Sequence, residues 1–240
     1  MTQSQILLIE DEPHLAYNIE FNLKAEGYAV VVATSGKVGL EMYRSHGPFD
    51  VVILDVMLPE VSGFQIAENI RKKDKTTGIL ILTARSEEED IMNGLALGAD
   101  DYVTKPFHLK ELLLRVRRMA ERSSLIKAET QRPSKVKSIY KDTHFDPETL
   151  ELVTSDGRSQ LTVLEAKVLK EFLCNENKIL SREHLLNQVW GIQGNVETRT
   201  VDNFILRLRK YLEKNPSKPQ IILSVRGRGY IYKGPKHHEG

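Results

Sequence analysis

The sequence predicts two domains in series: an open, doubly wound α/β domain with a parallel five-stranded sheet, followed by a smaller α+β domain. Short apolar runs alternate with helical patterns through the first half of the chain, as in a series of βα units. The apolar periodicity stops near residue 122. Beyond residue 138, a β-rich stretch is followed by three helical patterns and a terminal hairpin pattern. This interruption marks the boundary between the two domains.

The strands of the first domain are predicted from five runs of consecutive apolar residues. Such runs are typical of strands that are buried on both faces of a parallel sheet. They lie at residues 6–9, 30–32, 51–54, 79–82 and 102–103. Amphipathic patterns separate them, such as the one through Leu15, Ile19 and Leu23, and the last pattern begins at Leu109. We therefore place the first domain at residues 1–121.

The second domain is expected at residues 138–233, after a linker at residues 122–137 and before a tail at residues 234–240. Turn signals interrupt its β-rich stretch, residues 139–161. Three helices are predicted to begin near Thr162, Ser181 and Thr198. Thr162 precedes Glu165 at the spacing of a capping box, and Ser181 is a favourable N-cap.

Composition restricts the class of protein. At 240 residues, with 40% apolar and 28% charged residues, the chain is predicted to be globular and long enough for two domains. It contains no apolar stretch near the roughly 20 residues that span a bilayer, and we identify no signal peptide. Because Cys174 is the only cysteine, no intrachain disulfide can form. These features favour a cytoplasmic protein that has no membrane partner.

The net charge of +1 conceals a difference between the two halves. Residues 1–121 contain 13 Lys and Arg against 19 Asp and Glu, a balance of −6, whereas residues 122–240 contain 21 against 14, a balance of +7. The basic second half favours a polyanionic partner, although a solvated basic surface would give the same balance.

Reactive side chains follow the predicted strands at the ends where ligands bind in open α/β sheets. Glu10 and Asp11 follow the first strand, Asp55 the third, Thr83 the fourth and Lys105 the fifth. Three neighbouring carboxylates imply a bound cation or raised pKa values, and an oxygen-rich site suits Mg²⁺. An Asp carboxylate can attack phosphorus, while a Lys and a hydroxyl hold the phosphoryl oxygens. Each residue alone is more often a cap, turn, loop or strand-end residue, so the prediction rests on their convergence.

Four segments of the first half carry the motifs of a known family. Residues 5–121 resemble the CheY-like receiver family at residues 8–12 (LIEDE), 53–59 (ILDVMLP), 82–85 (LTAR) and 98–107 (GADDYVTKPF). The resemblance implies that Asp55 is the phosphoacceptor. It also implies a Mg²⁺ site made of Glu10, Asp11, Asp55 and the Met57 backbone carbonyl.

The same resemblance implies roles for residues around the phosphoryl group. Thr83 and Lys105 would bind that group, and Thr83 and Tyr102 would form the switch that responds to it. The peptide between Lys105 and Pro106 is expected to be cis. The phosphodonor would be a sensor histidine kinase.

The third helix of the second domain has a basic side. Its apolar face is predicted from Val201, Phe204 or Ile205, Leu208 and Leu212, which recur at helical spacing. The opposite side is predicted to present Arg199, Thr200, Asn203, Arg207 and Lys210. Arg can pair with guanine and Asn with adenine in the major groove, so this side suits DNA. An ordinary basic surface helix shows the same pattern.

The second half resembles the OmpR/PhoB winged helix-turn-helix family over residues 138–233. The matching segments are 161–166 (LTVLEA), 180–186 (LSREHLL), 189–191 (VWG), 199–202 (RTVD), 207–210 (RLRK) and 225–230 (VRGRGY). In that family the third helix enters the major groove and a wing arginine, here Arg226, reaches the minor groove. The resemblance and the helix pattern together assign double-stranded DNA contacts to Arg199, Thr200, Asp202, Asn203, Arg207, Arg209, Lys210, Arg226 and Arg228.

Two positions depart from the family patterns. Phe204 stands where the winged-helix family usually has His, and Asn93 stands where a Lys or Arg commonly precedes Gly-Leu in the receiver. The family uses that cation in a dimer face, which Asp101, Glu111 and Arg115 otherwise match. We therefore expect a homodimer on phosphorylation in which Asn93 lacks one ion pair.

These observations predict a phosphorylation-dependent transcriptional regulator that is not a turnover enzyme. The kinase would phosphorylate Asp55, the receiver would dimerise, and two winged helices would bind a repeated DNA site. One alternative is a Mg²⁺-dependent phosphatase or phosphotransferase. The second half, however, lacks a further acid–base constellation. Another alternative is an architectural protein that binds DNA equally well with and without a phosphodonor.

Overall fold

The structure is a computed structural model that describes residues 3–84, 98–129, 137–140, 143–191 and 199–234. The chain divides into two compact units, Met1–Ala128 and Glu129–Gly240. Each unit contains its own clusters of buried apolar side chains. The predicted fold class, an α/β domain followed by a winged-helix α+β domain, is confirmed.

The first unit is built on a parallel sheet with the strand order β2-β1-β3-β4-β5. Its strands are β1 (Gln5–Ile9), β2 (Ala29–Ala33), β3 (Val51–Asp55), β4 (Gly78–Thr83) and β5 (Asp101–Thr104). They coincide with the five apolar runs because both sheet faces are covered. Leu7 and Ile9 pack into one core cluster and Ile6 and Leu8 into another. Strand order reverses between β1 and β3, so the carboxyl ends of these strands border the crevice in which such sheets bind ligands.

Four described helices accompany this sheet: α1 (Pro13–Ala25), α2 (Gly36–His46), α3 (Gly63–Arg71) and α4 (Leu109–Glu129). Helix α1 begins with Pro13, which suits a first helical position because its missing N–H has no helical partner there. The Ser62 side chain and the Gln65 side chain form a capping box at the start of α3. Helix α4 continues to Glu129, so residues 122–129 of the predicted linker are helical.

The second unit contains two antiparallel sheets. The first has the order β6-β7-β8-β9 and consists of β6 (Lys137–Tyr140), β7 (Thr143–Asp146), β8 (Glu151–Thr154) and β9 (Gly157–Gln160). The second has the order β10-β12-β11 and consists of β10 (Ile179–Leu180), β11 (Ile222–Val225) and β12 (Gly229–Tyr232). Strands β11 and β12 form the hairpin that the sequence predicts.

The described part of the second unit has three α-helices: α5 (Val163–Cys174) lies between β9 and β10 in the chain, and α6 (Arg182–Leu185) and α7 (Arg199–Leu212) lie between β10 and β11. A π-helical turn, Leu186–Trp190, follows α6. Both predicted N-caps are present: Thr162 and Glu165 form a capping box, and Ser181 Oγ accepts a hydrogen bond from the His184 amide at 3.0 Å. None of the described helices is both long enough and apolar enough to cross a membrane.

Candidate functional site

Three carboxylates meet at the carboxyl ends of β1 and β3. Glu10 and Asp11 directly follow β1, and Asp55 is the last residue of β3. One oxygen atom from each of the three lies within 4.8 Å of the others. Glu10 and Asp55 are buried and Asp11 is exposed, so the cluster has one side open to solvent. The cluster is compatible with the Mg²⁺ ion that the sequence predicts.

Lys105 supplies the positive charge beside these carboxylates. It follows β5, and its Nζ lies 2.6 Å from Asp55 Oδ2 and 2.9 Å from Glu10 Oε2. Burial alone would lower the pKa of Lys105, but hydrogen bonds and charge from Asp55 and Glu10 outweigh burial and raise it. Burial raises the pKa of Glu10, since the lowering effect of the Lys105 hydrogen bond is not sufficient to offset it. Lys105 is therefore kept in its protonated, positively charged form between the side chains of Asp55 and Glu10.

The backbone around Asp55 constrains this carboxylate. The Met57 amide donates a hydrogen bond to Asp55 Oδ1 at 2.9 Å, while Oδ2 is bonded to Lys105. Gly63, the first residue of α3, packs so closely on the Asp55 backbone that a Cβ atom at this position would overlap the Asp55 carbonyl oxygen. The start of α3 is thus fitted against the candidate phosphoacceptor. Gly63 is not among the residues predicted from the sequence.

The remaining predicted receiver residues also lie near these strand ends. Thr83 is the buried last residue of β4, and its carbonyl oxygen accepts a hydrogen bond from the Lys105 amide at 2.6 Å. Tyr102 lies in β5 and is buried. The peptide between Lys105 and Pro106 is cis, as the receiver resemblance implies. Thr83 and Lys105 are therefore neighbours at the edge that carries the carboxylates.

Helix α7 exposes a narrower surface than the sequence predicts. Thr200, Asn203 and Arg207 were expected on the side away from the apolar face, but all three are buried. The buried arc is wide because α7 is covered on two sides, by α5 and by the hairpin of β11 and β12. Between residues 200 and 210 the side chains that are not buried are Asp202, Leu206 and Lys210. The side chain of Arg199 lies outside the described part of the chain.

Arg207 points into the second unit. Its guanidinium carbon lies 4.5 Å from the centre of the Phe204 ring, and Nη1 lies 3.5 Å from Glu165 Oε1. Phe204 in turn meets Trp190 edge to face, with ring centres 5.0 Å apart. The sequence predicts an exposed Arg207, whereas in the structure burial against Phe204 and pairing with Glu165 hold this side chain inside.

Arg209 and Glu213 hold the strand β11 against α7. Arg209 is buried, and its Nε and Nη2 donate to the Ile222 carbonyl oxygen at 3.0 and 2.7 Å. Glu213 Oε1 accepts from the amides of Ile221 and Ile222 at 2.8 and 2.9 Å. Arg209, a predicted DNA contact, thus binds the protein backbone here. Together the two side chains fix the hairpin to the helix.

A second connection joins the first part of α7 to the hairpin. Asp202 Oδ1 accepts hydrogen bonds from Arg182 Nε at 2.7 Å and from the Tyr230 hydroxyl at 2.6 Å. Arg182 also donates to the Tyr230 hydroxyl at 3.1 Å. Asp202 is therefore engaged within the unit. Arg182 and Tyr230 are not among the predicted functional residues, although both lie in the quoted winged-helix motifs.

The hairpin turn carries two exposed arginines. Arg226 and Arg228 lie between β11 and β12, and both side chains are exposed. Gly227, between them, has a φ of 70°, a left-handed conformation that favours glycine. Gly229 packs on the backbone of Leu180, leaving no room for a Cβ atom. The turn therefore presents its two cations on a tightly folded hairpin.

Comparison with known proteins identifies both units. Residues 6–117 match the response regulator receiver domain, and residues 156–232 match the family described as transcriptional regulatory protein, C terminal. Over 228 residues the chain is 39% identical to the response regulator ArlR of Staphylococcus epidermidis, in a match that covers 95% of this chain and 99% of that protein. The crystal structure of the response regulator DrrB, a Thermotoga maritima OmpR/PhoB homologue, matches with 30% identity and a TM-score of 0.50, covering 97% of this chain and 100% of that chain. The chain belongs to the OmpR/PhoB family of response regulators.

Further relatives match this OmpR/PhoB-family chain over most of their own length as well. The alkaline phosphatase synthesis transcriptional regulatory protein SphR of Synechococcus elongatus is 37% identical over 235 residues, covering 95% of this chain and 90% of that protein. The solved structure of a RitR mutant matches this chain with 27% sequence identity and a TM-score of 0.72, and the match covers 96% of this chain and 99% of that chain. The protein is therefore a two-component response regulator with a transcription-factor domain. Its family implies a histidine kinase and DNA as partners.

The predicted dimer-face residues of this response regulator contact one another within the chain. Arg115 is paired with the buried Asp101 through Nη1, and its Nη2 lies 2.8 Å from Glu111 Oε1. Burial would lower the pKa of Arg115, but the charge of Asp101 and the hydrogen bonds with Glu111 and Asp101 raise it. Asn93, the fourth predicted residue of this face, lies outside the described residues. The structure thus brings three of the four together.

Proposed function

We propose that this protein is a phosphorylation-dependent transcriptional regulator. A sensor histidine kinase transfers a phosphoryl group to Asp55, the receiver dimerises, and the dimer binds repeated sites in double-stranded DNA. The observation that supports the proposal most directly is the position of Lys105 Nζ, within hydrogen-bonding distance of both Asp55 and Glu10 in a cluster of three carboxylates.

The phosphorylation chemistry follows from the cluster. An oxygen of Asp55 attacks the phosphorus of the phosphodonor, and the kinase histidine leaves. Mg²⁺ held by Glu10, Asp11, Asp55 and the Met57 backbone carbonyl would offset the negative charge of the carboxylates and the phosphoryl oxygens. Lys105 and the Thr83 hydroxyl hold the phosphoryl oxygens, which requires the Lys105 ammonium to exchange its carboxylate partner for phosphate.

The change that links phosphorylation of Asp55 to dimerisation begins at the same strand ends. Thr83 and Tyr102 lie in neighbouring strands, with Ile81 of β4 directly beside Tyr102. A shift of Thr83 toward the phosphoryl group opens space that Tyr102 fills. Asp101, which precedes Tyr102 in β5, is paired with Arg115 in the predicted dimer face, so the movement changes the surface presented to a second receiver.

DNA recognition then uses the exposed parts of the second unit. The open strip of α7, which ends at Lys210, faces the major groove, and Arg199, the first residue of α7, remains a predicted contact. Arg226 and Arg228 meet the minor groove or phosphates. Asn203, Thr200, Arg207 and Arg209 are left out of this contact set because their side chains are buried in the unit. Two such units joined in a dimer bind a repeated site more tightly through their effective concentration.

The phosphoacceptor is tested by intact mass after treatment with acetyl phosphate and Mg²⁺. The wild-type chain should gain one phosphoryl group, and Asp55→Asn should gain none. Glu68→Gln, which changes a carboxylate on α3 outside the cluster, is the matched control and should be labelled like wild type. An adduct that persists in Asp55→Asn would exclude Asp55 as the acceptor. Full labelling in excess chelator would exclude the proposed role of Mg²⁺.

A second measurement separates the proposal from the alternatives. DNA affinity for a selected repeated site should rise when the protein is phosphorylated and should not rise for Asp55→Asn. Equal binding with and without the phosphodonor would favour an architectural DNA-binding protein. Sustained multiple-turnover hydrolysis of a small phosphoester would favour a phosphatase.

A further inference from the structure

We propose that Leu206 is a specificity-determining residue that contacts the 5-methyl group of a thymine in the major groove. This inference rests on the proposed function, in which α7 enters that groove, and it adds a residue and a base feature to it. The chemistry recognised is a methyl group on the major-groove edge of a pyrimidine.

The first observation is an inverted pattern of burial along α7. Leu206 is 36% exposed, while the polar neighbours Asn203 and Arg207 are 3% and 6% exposed. Leu206 is the single large hydrophobic residue that is exposed among the described residues of the second unit. The informative part of this pattern is the burial of the polar groups, because Asn and Arg are mostly exposed in folded proteins. Leu206 is therefore the apolar side chain that α7 offers to a partner outside the unit, while its polar neighbours are held inside.

The position of Leu206 identifies the kind of partner. Residues four apart on a helix lie on the same face, so Leu206 lies in the middle of the open strip between Asp202 and Lys210. Asp202 is engaged with Arg182 and Tyr230, so its charge is partly balanced. Lys210 is exposed at the other end, and the hairpin attached to this helix carries exposed Arg226 and Arg228. An apolar contact bordered by cations fits a polyanion with an apolar group on its surface.

Double-stranded DNA offers such a group in the major groove. A leucine side chain has no hydrogen-bonding atom, so it cannot distinguish donors from acceptors on base edges. The thymine methyl is the apolar feature of that groove in unmodified DNA, and aliphatic side chains contact it. 5-Methylcytosine carries the same methyl group, so it would be recognised at a C·G pair only if the neighbouring contacts tolerate that pair. Thymine is accordingly the expected base.

The test replaces thymine by uracil, which removes the methyl group and keeps every hydrogen-bonding atom. A selected site is synthesised with single uracil substitutions, and the dissociation constant of the phosphorylated protein is measured for each. At one position in each half-site, uracil should weaken wild-type binding about fourfold, the value expected for one buried methyl-sized group. Leu206→Ala should bind the thymine and uracil sites equally, whereas Leu206→Met, which keeps an apolar side chain, should still prefer thymine.

A matched control and a second readout separate the outcomes. Lys210→Ala, on the same strip, should lower affinity for both sites alike and keep the preference for thymine. If no uracil substitution affects wild-type binding, or if Leu206→Ala keeps the preference, the assignment of Leu206 is overturned. If Leu206→Ala instead lowers self-association in sedimentation without DNA, the leucine covers a second copy and the assignment is also overturned. Failure to select any DNA sequence would instead count against the proposed function.

Discussion

The buried position of Arg207 can be tested by its effect on stability. Changing Arg207 to Met keeps a long side chain that can pack on Phe204, but removes the charge paired with Glu165. Arg207 and Glu165 are 6% and 3% exposed, so solvent does not replace the lost partner. Glu165 cannot move outward freely, because its Oε2 accepts the Thr162 amide at 2.7 Å in the capping box of α5. The variant is therefore left with a buried carboxylate.

The size of the effect follows from this geometry. Breaking a buried ion pair by removing one partner costs about 3–5 kcal/mol. The Arg207–Glu165 separation of 3.5 Å is long for an ion pair, and Glu165 keeps its bond to Thr162. We therefore expect the lower value, about 3 kcal/mol. The double variant Arg207→Met with Glu165→Gln should recover most of this loss, because glutamine still completes the capping box and leaves no buried charge.

Trp190 provides an assay for this unit alone. It is the single tryptophan of the chain and lies against Phe204, so its fluorescence in urea follows unfolding of the second unit in the full-length protein. With a denaturant slope of about 1–3 kcal/mol per molar, a loss of about 3 kcal/mol lowers the urea midpoint by about 1–3 M. An unchanged midpoint for Arg207→Met, combined with lost preference at one base pair of the DNA site, would refute the buried position and restore Arg207 as a base-reading residue.

Further predictions concern the receiver and the hairpin. Lys105→Ala should bind Mg²⁺ more tightly in a fluorescence or calorimetric titration, because the variant lacks the ammonium that competes with the ion for the carboxylates. The same variant should accept the phosphoryl group more slowly, because it lacks a side chain that binds the phosphoryl oxygens. Arg226→Ala should weaken binding to all DNA variants alike and reduce the slope of log affinity against log salt by about 1. Arg115→Ala should lower the thermal midpoint of the unphosphorylated receiver, because Asp101 is left buried, and a fully stable variant would exclude this pairing. Asn93→Lys should tighten the phosphorylated dimer severalfold at most, as sedimentation at low salt would measure.

The strands and the carboxylate cluster are well predicted from the sequence, and for a physical reason. A parallel sheet covered on both faces needs consecutive apolar residues, so runs such as residues 51–54 and 79–82 are unambiguous. The strand ends then fix where Glu10, Asp55 and Lys105 lie, because parallel strands bring their carboxyl ends to one edge. The convergence of these residues is a consequence of topology alone.

The surface of α7 could not be predicted in the same way. Helical periodicity locates the centre of the buried arc at Val201, Ile205 and Leu208, but not its width. The width depends on partners distant in sequence: Glu165 of α5 covers Arg207, and the Ile222 carbonyl covers Arg209. Polar residues at the margins of the arc are therefore buried with partners that local spacing does not reveal. The sequence does not indicate a role for Leu206, because an apolar residue outside the apolar stripe of a helix gives no recognisable signal.

The attachment of β11 to α7 has a consequence for the DNA as well as for the protein. With Arg209 and Glu213 bonded to the strand backbone, the separation between the groove-facing helix and the turn arginines is set before any duplex is bound. In the proposed complex, a helix and a hairpin held at a fixed spacing cannot adjust to the local shape of each duplex, so any difference in spacing has to be met by deformation of the DNA. The energy of that deformation depends on the base steps between the two contact points. Base pairs that the protein never touches should therefore influence affinity, with flexible pyrimidine–purine steps favoured where the duplex has to yield.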